Sequence, residues 1–142
     1  MTLQEEKEVL LDVVTKLAAK LIGKGGFVPF GATLGPGRNV KLLMPKSWKE
    51  NATRDEVEAY WSRELKKAVD TGENRTVCSC ADVRIILDNG NPAPCIFIHL
   101  EQAASLAEDI AYPYRHDSDS QVILGTPTLV QTEPRVFAMD QT

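Results

Sequence analysis

A chain of 142 residues with 43% hydrophobic and 25% charged side chains has the size and balance of one soluble globular domain, expected to span residues 1–142. A formal charge of -4 with no basic run excludes nucleic acid and anionic membrane as main partners, and no apolar stretch reaches the ~20 residues of a bilayer crossing. The acidic, polar amino terminus lacks the features of a secretory signal, and three cysteines are an odd number for a disulfide framework, so the expected location is cytoplasmic with reduced thiols.

Residues 3–22 form an amphipathic helix in this reading, with Leu10, Val13, Val14, Leu17, Leu21 and Ile22 on one apolar stripe. Gly23, Gly25 and Gly26 supply the permissive backbone of its exit. A hairpin follows: a strand from Phe27 to Leu34, a turn through Gly35-Pro36-Gly37-Arg38, and a return strand from Asn39 to Met44 closed by Pro45. Thr53 and Glu56 have capping-box spacing, which starts a second helix over Arg54 to Asp70 with Val57, Tyr60, Trp61, Leu65, Ala68 and Val69 inward and Gly72 as its stop. Trp48 lies between these elements and is expected to cover a core edge.

The next element is a long hairpin, Thr76 to Gln102. Val77, Ala81, Val83, Ile85 and Leu87 share one parity of its first strand, and Ile96, Ile98 and Leu100 share one parity of its second. Period-two alternation marks a strand that buries one face, so Cys78, Cys80, Cys95, Phe97, His99 and Glu101 fall on the other. Asn89-Gly90 is the strongest local signal for a two-residue type I′ turn. With that turn Cys80 opposes His99, Cys78 opposes Glu101 and Arg84 opposes Cys95. Leu106 to Tyr114 then reads as a strand, Arg115 to Ser120 as an exposed loop, and Val122 to Val130 as a strand interrupted at Gly125 and Pro127. Residues 131–142 carry no assignment.

The order α-β-β-α-β-β-β-β, with short connections between strands, predicts an α+β domain: a mainly antiparallel sheet with both helices packed on one face. The chemistry-bearing types concentrate in the long hairpin. Cys78, Cys80, His99 and Glu101 are candidate metal ligands, since zinc accepts all three side-chain types. Their C-x-C spacing is not that of a zinc knuckle, and a flat sheet face does not wrap a tetrahedral ion, so small residues beneath a partner surface are the more economical reading. A Cys80–His99 pair has the types for nucleophilic catalysis, but no nucleophile turn or helix N-terminus lowers the thiol pKa. Gly31, Gly35 and Gly37 lie in a hairpin and lack the lysine of a phosphate loop, and Asp117 and Asp119 lack the glycine and distal glutamate of a calcium loop.

Phe27-Val28-Pro29-Phe30-Gly31-Ala32, Ala111-Tyr112-Pro113-Tyr114-Arg115 and Glu133-Pro134-Arg135-Val136-Phe137 together resemble a small uncharacterised bacterial protein family with a Pro-Phe-Gly-Ala hairpin start and a late Pro-Tyr strand end. The resemblance implies no catalytic residue. The element order is also similar to roadblock-type and profilin-like domains, without a clear C-terminal helix. The expected function is a non-enzymatic protein-interaction or binding domain that needs no cofactor. Its partner is another protein or a second copy of itself, met through an uncovered sheet face bearing Phe97, Tyr112 and Tyr114. The alternative is a metal-binding or thiol-dependent protein centred on Cys78, Cys80 and His99.

Overall fold

A computed structural model describes residues 2–45, 52–71, 74–86, 89–103 and 106–137. Trp48, Gly72 and Leu87 lie outside the described residues. Among the described residues two α-helices, α1 (Leu3–Gly23) and α2 (Arg54–Thr71), accompany the strands β1 (Phe30–Leu34), β2 (Val40–Leu43), β3 (Thr76–Ile86), β4 (Pro92–Gln102), β5 (Leu106–His116), β6 (Val122–Leu124) and β7 (Thr128–Gln131). Every pairing is antiparallel and the strands run β2-β1-β3-β4-β5-β6, with β7 also on β5. The chain is therefore an α+β domain built on an antiparallel sheet. The expected single strand from Val122 to Val130 is two strands, because the chain leaves the ladder at Gly125 and Pro127. β6 pairs with Tyr114–His116 and β7 with Glu108–Ala111. Among the described residues no helix is long and apolar enough to cross a membrane.

Both helices start on reciprocal caps. Thr2 and Glu5 close a capping box on α1, and the Thr53 hydroxyl and Glu56 carboxylate exchange bonds of 3.1 Å each at the start of α2, as their spacing predicts. α1 buries Leu10, Val14, Ala18 and Ile22, one residue per turn or so, against the sheet. Its polar contacts identify the face it covers. Glu6 accepts from the Thr76 hydroxyl at 3.0 Å and pairs with Arg75; Gln102 Nε2 donates to the Leu3 carbonyl at 2.6 Å; Lys7 pairs with Glu108 at 2.8 Å.

α2 covers the opposite face. A Cβ on Gly31 would lie 2.8 Å from Trp61 Cζ3 and 2.9 Å from Cε3, so only glycine lets the indole rest on β1. Phe30, Ala32 and Leu34 alternate with Gly31 and point to the α1 side, where Phe30 and Ala32 are fully buried. The helices therefore do not share one face. The cause lies in the connections and in the strands. α2 bridges β2 and β3, the two neighbours of β1, and must cross β1 on one side or the other; α1 already occupies one side. Moreover, β3 and β4 bury residues of both parities along their paired central length, so each face needs a cover.

The register of the long hairpin also differs from expectation by one residue. Cys80 opposes Ile98, Cys78 opposes Leu100, and His99 opposes Ser79. Ile86 opposes Pro92, so residues 87–91 make the connection in place of a two-residue turn. Gly90 takes a φ of 81°, and the Asn89 side chain accepts from the Asn91 N–H at 2.9 Å, an Asx turn that absorbs the extra residue. A one-residue slip moves a whole side-chain set to the other face. Here it places Cys78 and Cys80 with Ile96, Ile98 and Leu100 on the α1 face, and Val77, Ser79, Ala81 and Val83 with Cys95, Phe97, His99 and Glu101 on the α2 face.

Candidate functional site: a groove between α2 and the sheet

Directly across three adjacent strands on the α2 face lie Ser79, His99 and Asp109. Next to that row Glu101 projects from β4 with no exposed surface. His99 is held from both sides: Nδ1 lies 2.7 Å from Asp109 Oδ1 and Nε2 lies 2.6 Å from Glu101 Oε2. Burial alone would lower the imidazole pKa, but the bonds to Glu101 and Asp109 outweigh it and hold His99 above its ordinary value. An imidazolium, with both nitrogens donating, is the form this pair of acceptors selects.

Glu101 does more than face the histidine. Its Oε2 accepts the Arg135 backbone N–H at 2.9 Å, and its Oε1 accepts those of Val136 and Phe137 at 2.8 and 3.1 Å. Burial would push this carboxyl up; the His99 bond and the three backbone donors prevail and leave it below the usual carboxylate range. Residues 135–137 are thus strapped onto the α2 face by one carboxylate. The Arg135 side chain then reaches Glu58 of α2 at 3.6 Å, so the strap and the helix meet.

Beside this cluster, α2 and the sheet enclose a cavity of about 410 Å³. Its floor is Ser79, Ala81, Val83, Ile85, Phe97 and His99, and its roof is Arg54, Val57, Glu58 and Trp61. Arg54, Glu58 and Trp61 recur at i, i+4 and i+7, which puts them on the same side of the helix. At one end the Arg54 guanidinium carbon stands 5.2 Å from the Phe97 ring centroid while its Nε bonds Glu58 at 3.1 Å. At the other end Trp61 is 2% exposed, and among the described residues its indole N–H has no hydrogen-bond partner.

The candidate metal ligands do not converge. His99 and Glu101 share the α2 face, whereas Cys78 and Cys80 lie buried on the α1 face, one sheet thickness away. Among the described residues no cluster of three or more His, Cys, Asp or Glu side chains has the geometry of a metal site. All three cysteines are free and buried. Burial pushes the Cys78 thiol up to about 12 and Cys80 well above its ordinary value, which opposes thiolate chemistry at either. The Cys80–His99 pair is likewise separated by the sheet.

The aromatic interface candidates also part company. Phe97 lines the groove, while Tyr112 and Tyr114 belong to the α1 face, packed against the core. The Tyr114 hydroxyl donates to Asp82 at 2.8 Å, and burial together with that carboxylate pushes its phenol up to about 12. The three rings therefore do not share one face, which corrects the expectation of a single aromatic surface.

Sequence reasoning did not single out Arg54, Ser79, Asp109 or Arg135, and it took Trp61 only as core. Asp109 falls out of phase with Leu106, Ile110 and Tyr112, the side that alternation assigns to solvent, so nothing in the sequence marks it. Comparison with protein-family models, with curated proteins and with solved structures finds no match to this chain.

Proposed function

We propose that this protein is a non-enzymatic binding domain, and that its binding site for a protein partner is the groove between α2 and the sheet. The single observation that supports this reading most is a cavity of about 410 Å³ with an apolar floor and a few polar groups at its ends, beside a histidine whose two nitrogens are both engaged. That volume lies within the range of about 300–1,000 Å³ typical of ligand sites. Trp61, Arg54 and Phe97 in its walls are residue types that anchor interfaces. The three free thiols favour a cytoplasmic, reducing setting.

One arrangement favours a second reading. Ser79, His99 and Asp109 stand in triad order across β3, β4 and β5. In a working triad the Nε2 atom of the histidine takes the serine proton. Here Nε2 faces Glu101 at 2.6 Å and Nδ1 faces Asp109 at 2.7 Å, so neither ring nitrogen is left to take a proton from the serine. A hydrolase would also need Ser79 to react with a fluorophosphonate probe; covalent labelling at Ser79 would overturn the binding reading in favour of catalysis. The direct test fills the groove. Ala81→Phe should abolish binding of an apolar fluorescent probe such as anilinonaphthalene sulfonate while leaving near-UV circular dichroism in place. Equal probe binding by wild type and variant would refute the site.

A further inference from the structure

The sheet ends on one side in β2 and on the other in β6 and β7, and the two edges are not alike. β2 carries Lys41, a charge of the kind that keeps an exposed edge from pairing with another chain, and Pro45 lies just beyond it. β7 itself carries no such guard. All of its residues are exposed, Leu129 at 47% and Val130 at 58%, and residues 120–132 include no charged side chain.

Its main-chain groups are equally specific. The Thr132 N–H donates to the Ala107 carbonyl at 3.0 Å, and the register runs on unbroken through Val130↔Asp109 and Thr128↔Ala111. Each residue of an antiparallel strand turns its N–H and C=O to the same neighbour, and successive residues alternate, so Thr132, Val130 and Thr128 serve β5. Leu129 and Gln131 turn theirs outward, where they meet no partner among the described residues.

A second copy of the same edge fits these groups. A two-fold axis normal to the sheet runs the two β7 strands antiparallel and keeps each face on its own side, so opposed residues share one parity. Two such registers lie nearest the centre of β7. With Leu129 on the axis, Gln131 opposes the partner's Pro127, which has no N–H, and the Gln131 carbonyl stays unpaired. With Val130 on the axis, Leu129 opposes the partner's Gln131, and every outward N–H and C=O of both residues is paired. That register also sets Val130 against its own copy and Thr128 against the partner's Thr132, pairs of the kind that stabilise adjacent strands. No like charges meet, because the segment has none. The assembly stops at two copies, since each contributes its unguarded edge and β2 offers no second one.

We propose that this chain forms a two-fold dimer by pairing β7 with β7 of a second copy, Val130 on the axis, so that two sheets become one. The contact lies across β5 from the groove floor and involves no groove-lining residue.

A pairing this short belongs with weak contacts burying less than about 1,200 Å², so sedimentation velocity of the full chain should show association growing between about 10 μM and 1 mM. Val130→Lys, at an exposed position, brings two like charges together on the axis and should weaken association at least about tenfold with circular dichroism unchanged. Disulfide formation reads the register. The native thiols are buried, so an introduced cysteine is the accessible one. Val130 opposes its copy as a non-hydrogen-bonded pair, whose Cα atoms stand about 4.5 Å apart, within reach of a disulfide. Val130→Cys should therefore crosslink under mild oxidation, and Leu129→Cys, which opposes glutamine, should do so far more slowly. Faster crosslinking at Leu129→Cys would overturn the Val130 register. Association undiminished in Val130→Lys would remove β7 as the contact. A chain monomeric at the highest concentration, with neither cysteine variant crosslinking, would refute the dimer and leave the edge to a strand of another protein. None of these outcomes bears on the groove, which Ala81→Phe tests separately.

Discussion

Replacing Glu101 by glutamine keeps the shape of the side chain and removes its charge, which makes it a sharp probe of the strap. Each carboxylate oxygen accepts two bonds: Oε2 from His99 and Arg135, Oε1 from Val136 and Phe137. Turned one way, its NH₂ faces the N–H groups of Val136 and Phe137; turned the other, it faces the Arg135 N–H and can donate to His99 Nε2 only if the ring gives up that proton, so one or two of the four bonds are lost along with the charge. Bonds to charged groups are worth about 1.5–3 kcal/mol each, and removing one partner of a buried ion pair costs about 3–5 kcal/mol. The two estimates describe the same loss, and about 4 kcal/mol is their common ground. For a domain of this length total stability is on the order of 7–15 kcal/mol, so Glu101→Gln should still fold. Its melting temperature should fall by about 8–16 °C. Urea denaturation supplies the free energy, and hydrogen exchange supplies the location: the amides of Arg135, Val136 and Phe137 should lose protection ahead of those of β3 and β4. A loss below about 1 kcal/mol with those amides still protected would refute the assignment of Glu101 as the anchor.

Other outcomes follow from the same geometry. Gly31→Ala should destabilise the fold by about 1–3 kcal/mol, read in urea, because its methyl would meet the Trp61 ring and the indole must shift; an unchanged midpoint would show that α2 is not seated on β1. The His99 pKa is raised from 6.5, so its contribution is full below pH 6.5 and is lost as pH rises through the folded value; the Glu101 pKa is lowered from 4.5, so its contribution is full above pH 4.5 and is lost as pH falls through the folded value. Urea midpoints should therefore peak between about pH 4.5 and 6.5, with Glu101→Gln flattening the alkaline fall, and a maximum above pH 8 would contradict this. Finally, the buried thiols of Cys78, Cys80 and Cys95 should react with Ellman's reagent only on unfolding. Rapid release of one equivalent from the native protein would reopen thiol chemistry.

Much of the architecture is legible in the residues. Thr53-x-x-Glu56 announces α2, and the apolar positions Val57, Trp61 and Leu65 give its inner side. The element order and the antiparallel class follow from short connections between alternating strands. The failures share one physical source. Alternation identifies a strand's buried face only when the other face meets water, and β3 and β4 sit mid-sheet with a helix on each side. Cys78 and Cys80 then resemble an outer face because they are small and polarisable, yet they are 1% exposed. Asn89-Gly90 misleads in the same region, because an Asx turn and a type I′ turn use the same dipeptide and differ by one residue in register. That single residue separates the cysteines from His99 and with them the chemical hypothesis. The strap was out of reach for another reason. Its anchor is a long-range contact between Glu101 and backbone N–H groups, which leave no mark in side-chain patterning.

The His99 cluster and the groove are mechanically joined, and this bears on how binding would be felt by the fold. Arg135 is held at its backbone by Glu101 and its side chain pairs with Glu58 at 3.6 Å, so residues 135–137 link β4 to the α2 wall of the groove. Burying two carboxylates and an imidazole in a wall offers little net stability over an apolar packing of equal volume. What the cluster does supply is one defined position for residues 135–137 beside the groove. A ligand that binds only the closed groove adds RT ln(1 + [L]/Kd) to stability, about 2.7 kcal/mol at a hundredfold excess over Kd. By linkage the same ligand must slow exchange at Arg135–Phe137, although it touches none of those amides. Releasing the strap through Glu101→Gln must then weaken binding without altering one groove-lining side chain. Undiminished affinity in that variant would separate the cluster from the groove and leave the buried charges without a role in binding.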